Sequence, residues 1–125
     1  MSRQTARTFD ATTYSPRQAR RFVGERLNAW GLAGASEAIV LAVSELTTNA
    51  VVHGAGPITV TLTATDDRVR VHVENGGAGD PVMRPLDPGR RVDHRWGLRL
   101  VDTLADDWGV DLAGPTIGVW FEQRL

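Results

Sequence analysis

Glu45-Leu46-Thr47-Thr48-Asn49-Ala50-Val51-Val52-His53-Gly54 is the stretch whose reading decides the fold. Ile39, Ala42, Val43, Leu46 and Ala50 recur three or four apart, the interval that brings side chains onto one side of an α-helix, so that side is expected to face a core. Glu45, Asn49 and His53 are each four apart and form a polar row about a quarter-turn from the apolar one. Such a row lies where core meets cleft. There a carboxylate, an amide and an imidazole can act on one ligand. Ser36 is placed to cap the start of this helix, with Glu37 near the positive end of its dipole. Gly54-Ala55-Gly56-Pro57 ends it.

Downstream, Ile58, Val60, Leu62 and Ala64 alternate with threonines, and Val69, Val71 and Val73 alternate with Arg70, His72 and Glu74. Period-two alternation predicts two half-buried strands, and Asp66-Asp67 between them predicts a tight antiparallel hairpin. Upstream, Ser15-Pro16-Arg17-Gln18 reads as a helix start with a serine cap, and Ala19, Phe22, Val23, Leu27 and Trp30 give an apolar stripe ending at Gly31. The opposite side carries Arg17, Arg20, Arg21, Glu25 and Arg26, either a solvated face or a protein-partner surface. Residues 1–7 are expected to be loose, and Thr8 to Thr13 to form a short edge strand. Residues 76–96 show no periodicity and read as a lid loop, longer than the usual connection of about four to six residues. A short helix over Gly97 to Ala105 and two closing strands, Trp108 to Leu112 and Ile117 to Arg124, complete the chain. The whole, 1–125, reads as a single domain: a two-layer α/β (α+β) sandwich with a mixed, mostly antiparallel sheet and helices packed on one face.

Composition narrows the function classes. With 125 residues the chain is long enough for one proper core, and with no cysteine it has neither a disulfide framework nor a thiolate metal site. A net charge of −1 argues against a general polyanion binder. No uninterrupted run reaches the roughly 20 apolar residues of a membrane span, and no signal-peptide apolar core follows Met1, so a cytoplasmic location is expected. His53, His72 and His94 lack metal-ligand spacing, which argues against zinc. Every basic side chain is arginine, so a phosphate contact by lysine is unavailable anywhere in the chain.

Three later stretches join the Glu45 row: Val71-His72-Val73-Glu74-Asn75-Gly76-Gly77-Ala78-Gly79, Arg95-Trp96-Gly97-Leu98-Arg99-Leu100-Val101, and Gly114-Pro115-Thr116-Ile117-Gly118-Val119-Trp120-Phe121-Glu122. By themselves they are a strand ending in glycines, a loop entering a helix whose free N–H groups suit phosphate, and a closing strand. Together the four resemble the GHKL nucleotide-binding domain, and within it the small bacterial branch of anti-sigma factor serine kinases. Glu45-Leu46-x-x-Asn49-Ala50-x-x-His53-Gly54 looks like the family's N box, and Gly97, Leu98, Leu100 and Val101 match its Gly-x-Gly-Leu-x-Leu-Val pattern.

The resemblance implies ATP and Mg²⁺ as cofactors, with Glu45 as catalytic base and Asn49 as metal ligand through its neutral amide oxygen. It implies a nucleotide pocket drawn from Asn49, His53, Asn75, Gly77, Gly79, Arg95, Gly97, Leu98 and Thr116. His53 is read equally as a phosphate contact or a helix cap. The implied partners are a sigma factor, an anti-sigma factor antagonist protein phosphorylated on serine, or both, with a homodimer kept open and neither nucleic acid nor membrane involved. The alternative is a catalytically degenerate, protein-binding module of the same fold. Asn75 at the family's aspartate position, Arg95 at its first glycine and the missing lysine favour that alternative, whereas Glu45 and Asn49 favour the kinase.

Overall fold

The structure, a computed structural model, describes residues 2–76, 98–111 and 116–125. Five strands, β1 (Arg3–Phe9), β2 (Ile58–Ala64), β3 (Arg68–Asn75), β4 (Asp107–Asp111) and β5 (Ile117–Arg124), form one sheet in the order β1-β2-β3-β5-β4. Helices α1 (Ser15–Ala29), α2 (Ala33–His53) and α3 (Leu98–Leu104) complete the described elements. All four pairings are antiparallel, so the parallel component of a mixed sheet is absent among the described strands. The two-layer α+β expectation otherwise stands.

Alternation sorts the sheet into two faces. Ile58, Val60, Leu62 and Ala64 on β2 and Val69, Val71 and Val73 on β3 are buried, while the residues between them are half-exposed. Against this inner face pack Phe22, Val23 and Leu27 of α1, Ile39, Val43 and Leu46 of α2, and Val101 of α3. The helical stripes and strand alternation read from the sequence therefore meet in one core. The β2–β3 hairpin closes where the Thr65 N–H donates to the Arg68 carbonyl at 2.9 Å. The Thr65 hydroxyl also donates to the Asp67 carboxylate at 2.9 Å, and this bond first, with Arg68 nearby, holds the Asp67 pKa below its ordinary 3.8.

Several boundaries differ from the sequence reading, each for a local reason. Residues expected to be loose belong to β1, which runs from Arg3 to Phe9 in register with Ala64 to Ile58 instead of spanning Thr8 to Thr13. Arg7 holds its guanidinium 5.1 Å from the Phe22 ring centre, and Arg3 Nη1 donates to the Trp30 carbonyl at 3.0 Å. Arginine stems thus take inner-face positions that a search for apolar alternation passes over.

Helix α1 starts at Ser15, not after it. Tyr14 occupies the cap position, while the Ser15 hydroxyl donates to the Asp10 carbonyl and accepts from the Thr12 N–H at 2.8 Å. The serine expected to cap the helix ties the preceding turn instead. At the other end Gly31, at φ 77°, makes a Schellman turn: its N–H donates to the Asn28 carbonyl at 3.1 Å and the Leu32 N–H to the Leu27 carbonyl at 2.8 Å. That turn feeds the chain straight into α2, which begins at Ala33, so Ser36 lies inside the helix and does not cap it. Strand β4 also shifts slightly, to Asp107–Asp111, whereas β5 spans Ile117–Arg124 as expected.

Helix α2 contains Ala33–Val52, a segment long and apolar enough by length and composition to cross a membrane, with a mean hydropathy of 1.3. Glu37 and Glu45 interrupt its apolar run. Packing against the sheet, α1 and α3 explains the apolar character of one side.

Candidate functional site

The polar row of α2 is unevenly buried. Asn49 is 8% exposed, and its Nδ2 has no hydrogen-bond partner among the described residues. Glu45, one turn earlier, is half-buried. His53 is the last residue of α2, and its side chain lies outside the described residues. Thr47, on the core side between Glu45 and Asn49, is fully buried and returns its hydroxyl to the Val43 carbonyl at 2.7 Å. The buried threonine is thus satisfied within its own helix. The buried asparagine is not.

The end of α2 meets the end of β3. Gly54 closes the helix, its N–H donating to the Ala50 carbonyl at 3.0 Å, and Asn75 at the last position of β3 packs against it. Asn75 is 5% exposed. Just beyond, Gly56 adopts φ 74° and a Cβ on it would lie 3.7 Å from the Gly76 Cα, so the loop leaving α2 and the chain leaving β3 run side by side. Asn49 sits five residues before Gly54, about one and a half helical turns. The fold therefore brings the Asn49 helix and the Asn75 strand end together, although they are distant in sequence.

Of the other predicted site residues, Gly77, Gly79, Arg95 and Gly97 lie outside the described residues, as do the stretch read as a lid loop from residue 77 on and the side chain of Leu98. The backbone of Leu98 opens α3. Thr116 is half-buried just before β5, its Oγ1 lying 3.4 Å from Glu74 Oε2. Glu74 alternates with the buried Val73 and Asn75, so this contact lies toward the sheet face away from the helices. Among the described residues no three His, Cys, Asp or Glu side chains gather around a common point.

A second feature was read from the sequence only as the arginine face of α1, without its α2 wall. An open cleft of about 450 Å³ between the start of α1 and the outer side of α2 is lined by Tyr14, Arg17, Arg20, Thr48, Val51 and Val52 among others. Tyr14 and Val52 are 68% and 65% exposed. Arg20 Nη1 donates to the Ser44 hydroxyl at 2.7 Å, fixing one guanidinium on the cleft wall. Part of the signal for it was present: Thr48 and Val52 lie four apart on α2, off the core stripe, and Arg17 and Arg20 were read as a solvated or protein-partner face.

A helix carrying Glu45 and a sunken Asn49 across one face of an antiparallel sheet, its last turn abutting a strand end that holds the buried Asn75, defines an α+β domain with buried amides at that helix end. The profile of the histidine kinase-like ATPase domain matches residues 9–119, and the chain belongs to that family. The resemblance drawn from the motifs is thereby borne out. Among solved structures, the RsbU and RsbW domains of Rv1364c from Mycobacterium tuberculosis are similar to it, with a TM-score of 0.75 at 25% sequence identity. The match covers 98% of this chain and 32% of that one, so this chain spans well under half of its neighbour. No curated protein matches the sequence.

Proposed function

We propose that the chain is a nucleotide-dependent switch kinase that uses Mg²⁺-ATP to phosphorylate a serine on a small antagonist protein, and so governs whether it holds antagonist or sigma factor. Asn49 carries this reading: a buried amide with an unmatched N–H group, one turn from Glu45, in a chain of an ATPase family. A buried donor left unpaired costs about 1–3 kcal/mol, and a ligand that brings an acceptor to it recovers that cost. The donor chemistry fits as well, because Mg²⁺ prefers oxygen ligands and commonly keeps water and phosphate oxygens beside a few protein groups.

When bound, Mg²⁺-ATP supplies the transferable phosphoryl group. In this chain Asn49 holds the metal by its amide oxygen, and Glu45 takes the proton of the incoming serine hydroxyl onto its carboxylate. Asn75 accepts from the amino group of the base. The antagonist docks in the cleft of Tyr14, Arg17, Arg20 and Val52, whose described lining includes two arginines and no carboxylate. That lining selects an acidic segment bearing an apolar side chain. Thr48 belongs to the cleft and Asn49 to the pocket, so α2 is the wall through which docking and nucleotide occupancy sense each other.

Isothermal titration of ATP with and without Mg²⁺, followed by phosphotransfer to a candidate antagonist, tests the reading. Glu45→Ala is expected to abolish transfer while leaving ATP binding largely intact, and Asn49→Ala to weaken Mg²⁺-dependent binding itself. Equal loss of binding in both variants would sink the assigned roles. A wild-type chain that ignores millimolar ATP would support the non-catalytic binding module, the reading favoured by Asn75 and Arg95.

A further inference from the structure

Helices α1 and α2 run antiparallel without keeping one spacing. They touch closely at Gly24, where a Cβ would lie 3.7 Å from Val40 Cγ2. About two turns nearer the start of α1, Tyr14 and Arg17 stand across the open cleft from Thr48 and Val52. Between these two levels lies Arg20, half-buried, whose Nη1 donates to Ser44 Oγ at 2.7 Å. The bond stands where the helices part, at the inner end of the cleft. A guanidinium carries five N–H donors in a flat fork. Ser44 takes one, and the described cleft lining holds no carboxylate to take the others. An arginine left loose on a surface must be ordered by whatever binds it, whereas one anchored at one edge presents its other edge already placed.

We propose that Ser44 is a positioning residue of the docking cleft: by accepting from Arg20 it fixes the guanidinium so that its free edge meets a carboxylate of the partner. The hydroxyl is neutral, so it orients Arg20 and leaves the full positive charge for the ligand. An acidic residue in its place would neutralise that charge. Arg17 lies three residues before Arg20 on the same helix, so the matching partner chemistry is two carboxylates about 5–6 Å apart. An apolar side chain beside them covers the exposed Tyr14 and Val52. This inference rests on the docking reading above, in which the cleft receives an acidic segment of the antagonist.

The probe is a synthetic helical peptide with two glutamates one turn apart and a leucine beside them, and the same peptide with glutamines is the control for charge. Wild type is expected to prefer the glutamate peptide. Ser44→Ala should weaken its binding about three- to tenfold, the range that follows from having to order one long side chain. Ser44→Thr, which keeps the hydroxyl, should restore most of the loss. In an Arg20→Ala background, Ser44→Ala should change nothing further. A tie that serves stability alone would leave the Kd of Ser44→Ala at the wild-type value, and that result overturns the proposal, as do additive losses in the double variant. Arg20→Ala that binds as tightly as wild type, or a wild-type chain indifferent to the glutamates, overturns the docking reading and the proposal with it. Spin relaxation of the Arg20 Nε–H group decides without any partner, and needs no variant to fold. It is expected to be ordered in the wild-type chain, and an Arg20 as mobile as the exposed Arg26 refutes the anchor.

Discussion

Asn49→Leu separates what the pocket needs from what the fold needs. Asn49 is 8% exposed with an unpartnered Nδ2, so the unliganded protein carries a buried donor with no acceptor among the described residues. Leucine has the same number of side-chain heavy atoms, branched at the same carbon, and no polar atom. The substitution removes a desolvation cost of about 1–3 kcal/mol, and better helix propensity adds a few tenths. At roughly 4 °C per kcal/mol for a domain of this size, the unliganded variant should melt about 4–12 °C above wild type. Wild type should gain about 2.7 kcal/mol from Mg²⁺-ATP at a hundred times its Kd, whereas the leucine variant should gain nothing. The assay is thermal unfolding by circular dichroism with and without Mg²⁺-ATP, with Asn28→Leu, at an exposed position of α1, as control for propensity alone. A variant that melts below wild type without ligand, or one that ATP still stabilises, would refute the reasoning.

Gly118→Ala is expected to lose about 1–3 kcal/mol in urea unfolding, because a Cβ there would lie 2.7 Å from the His72 Cε1, and His72→Ala should recover most of the loss. Gly31→Ala should cost about 1–2 kcal/mol by the same measurement, since the Schellman turn holds this residue at φ 77° where a Cβ is strained. Asp67 has a pKa held below 3.8 by Thr65, so its contribution to stability is present above that value and is lost as pH falls through the lower folded value. Unfolding midpoints of wild type and Asp67→Asn should therefore differ at neutral pH and converge at strongly acid pH. A constant offset across the range would count against the Thr65 bond as its origin.

What the sequence disclosed follows from which interactions are periodic. The core side of α2, the β2–β3 hairpin and β5 were legible because burial repeats at 3.6 or 2 residues and leaves its imprint on residue type. The first strand was hidden because its inner positions hold Arg3 and Arg7, whose stems cover the core edge while their heads find Phe22 and the Trp30 carbonyl. Ser15 and Ser36 both resemble caps by local rule, yet the turns before them had already set the helix starts. The polar row Glu45, Asn49 and His53 was legible as spacing. That Asn49 would be buried with a pole unmet was not, since it depends on neighbours brought by the sheet. The apposition of Gly54 and Asn75 was likewise out of reach, because each looked like an ordinary stop signal in its own stretch.

Strand β5 is last in the chain but not last in the sheet: it lies between β3 and β4, and β4 joins the sheet through β5 alone. A nascent chain emerging from the ribosome can assemble α1, α2, β1, β2 and β3 in turn, but β3 then waits with one edge unpaired and Val71 and Val73 short of the neighbours they will acquire. Only when residues up to Arg124 are free does that edge close, and β4, made earlier, is recruited at the same moment. Completion is thus a single late event governed by contacts remote along the chain, the kind that slows folding. Loss of the final eight-residue strand would remove two pairings at once, leaving β3 open to a foreign strand.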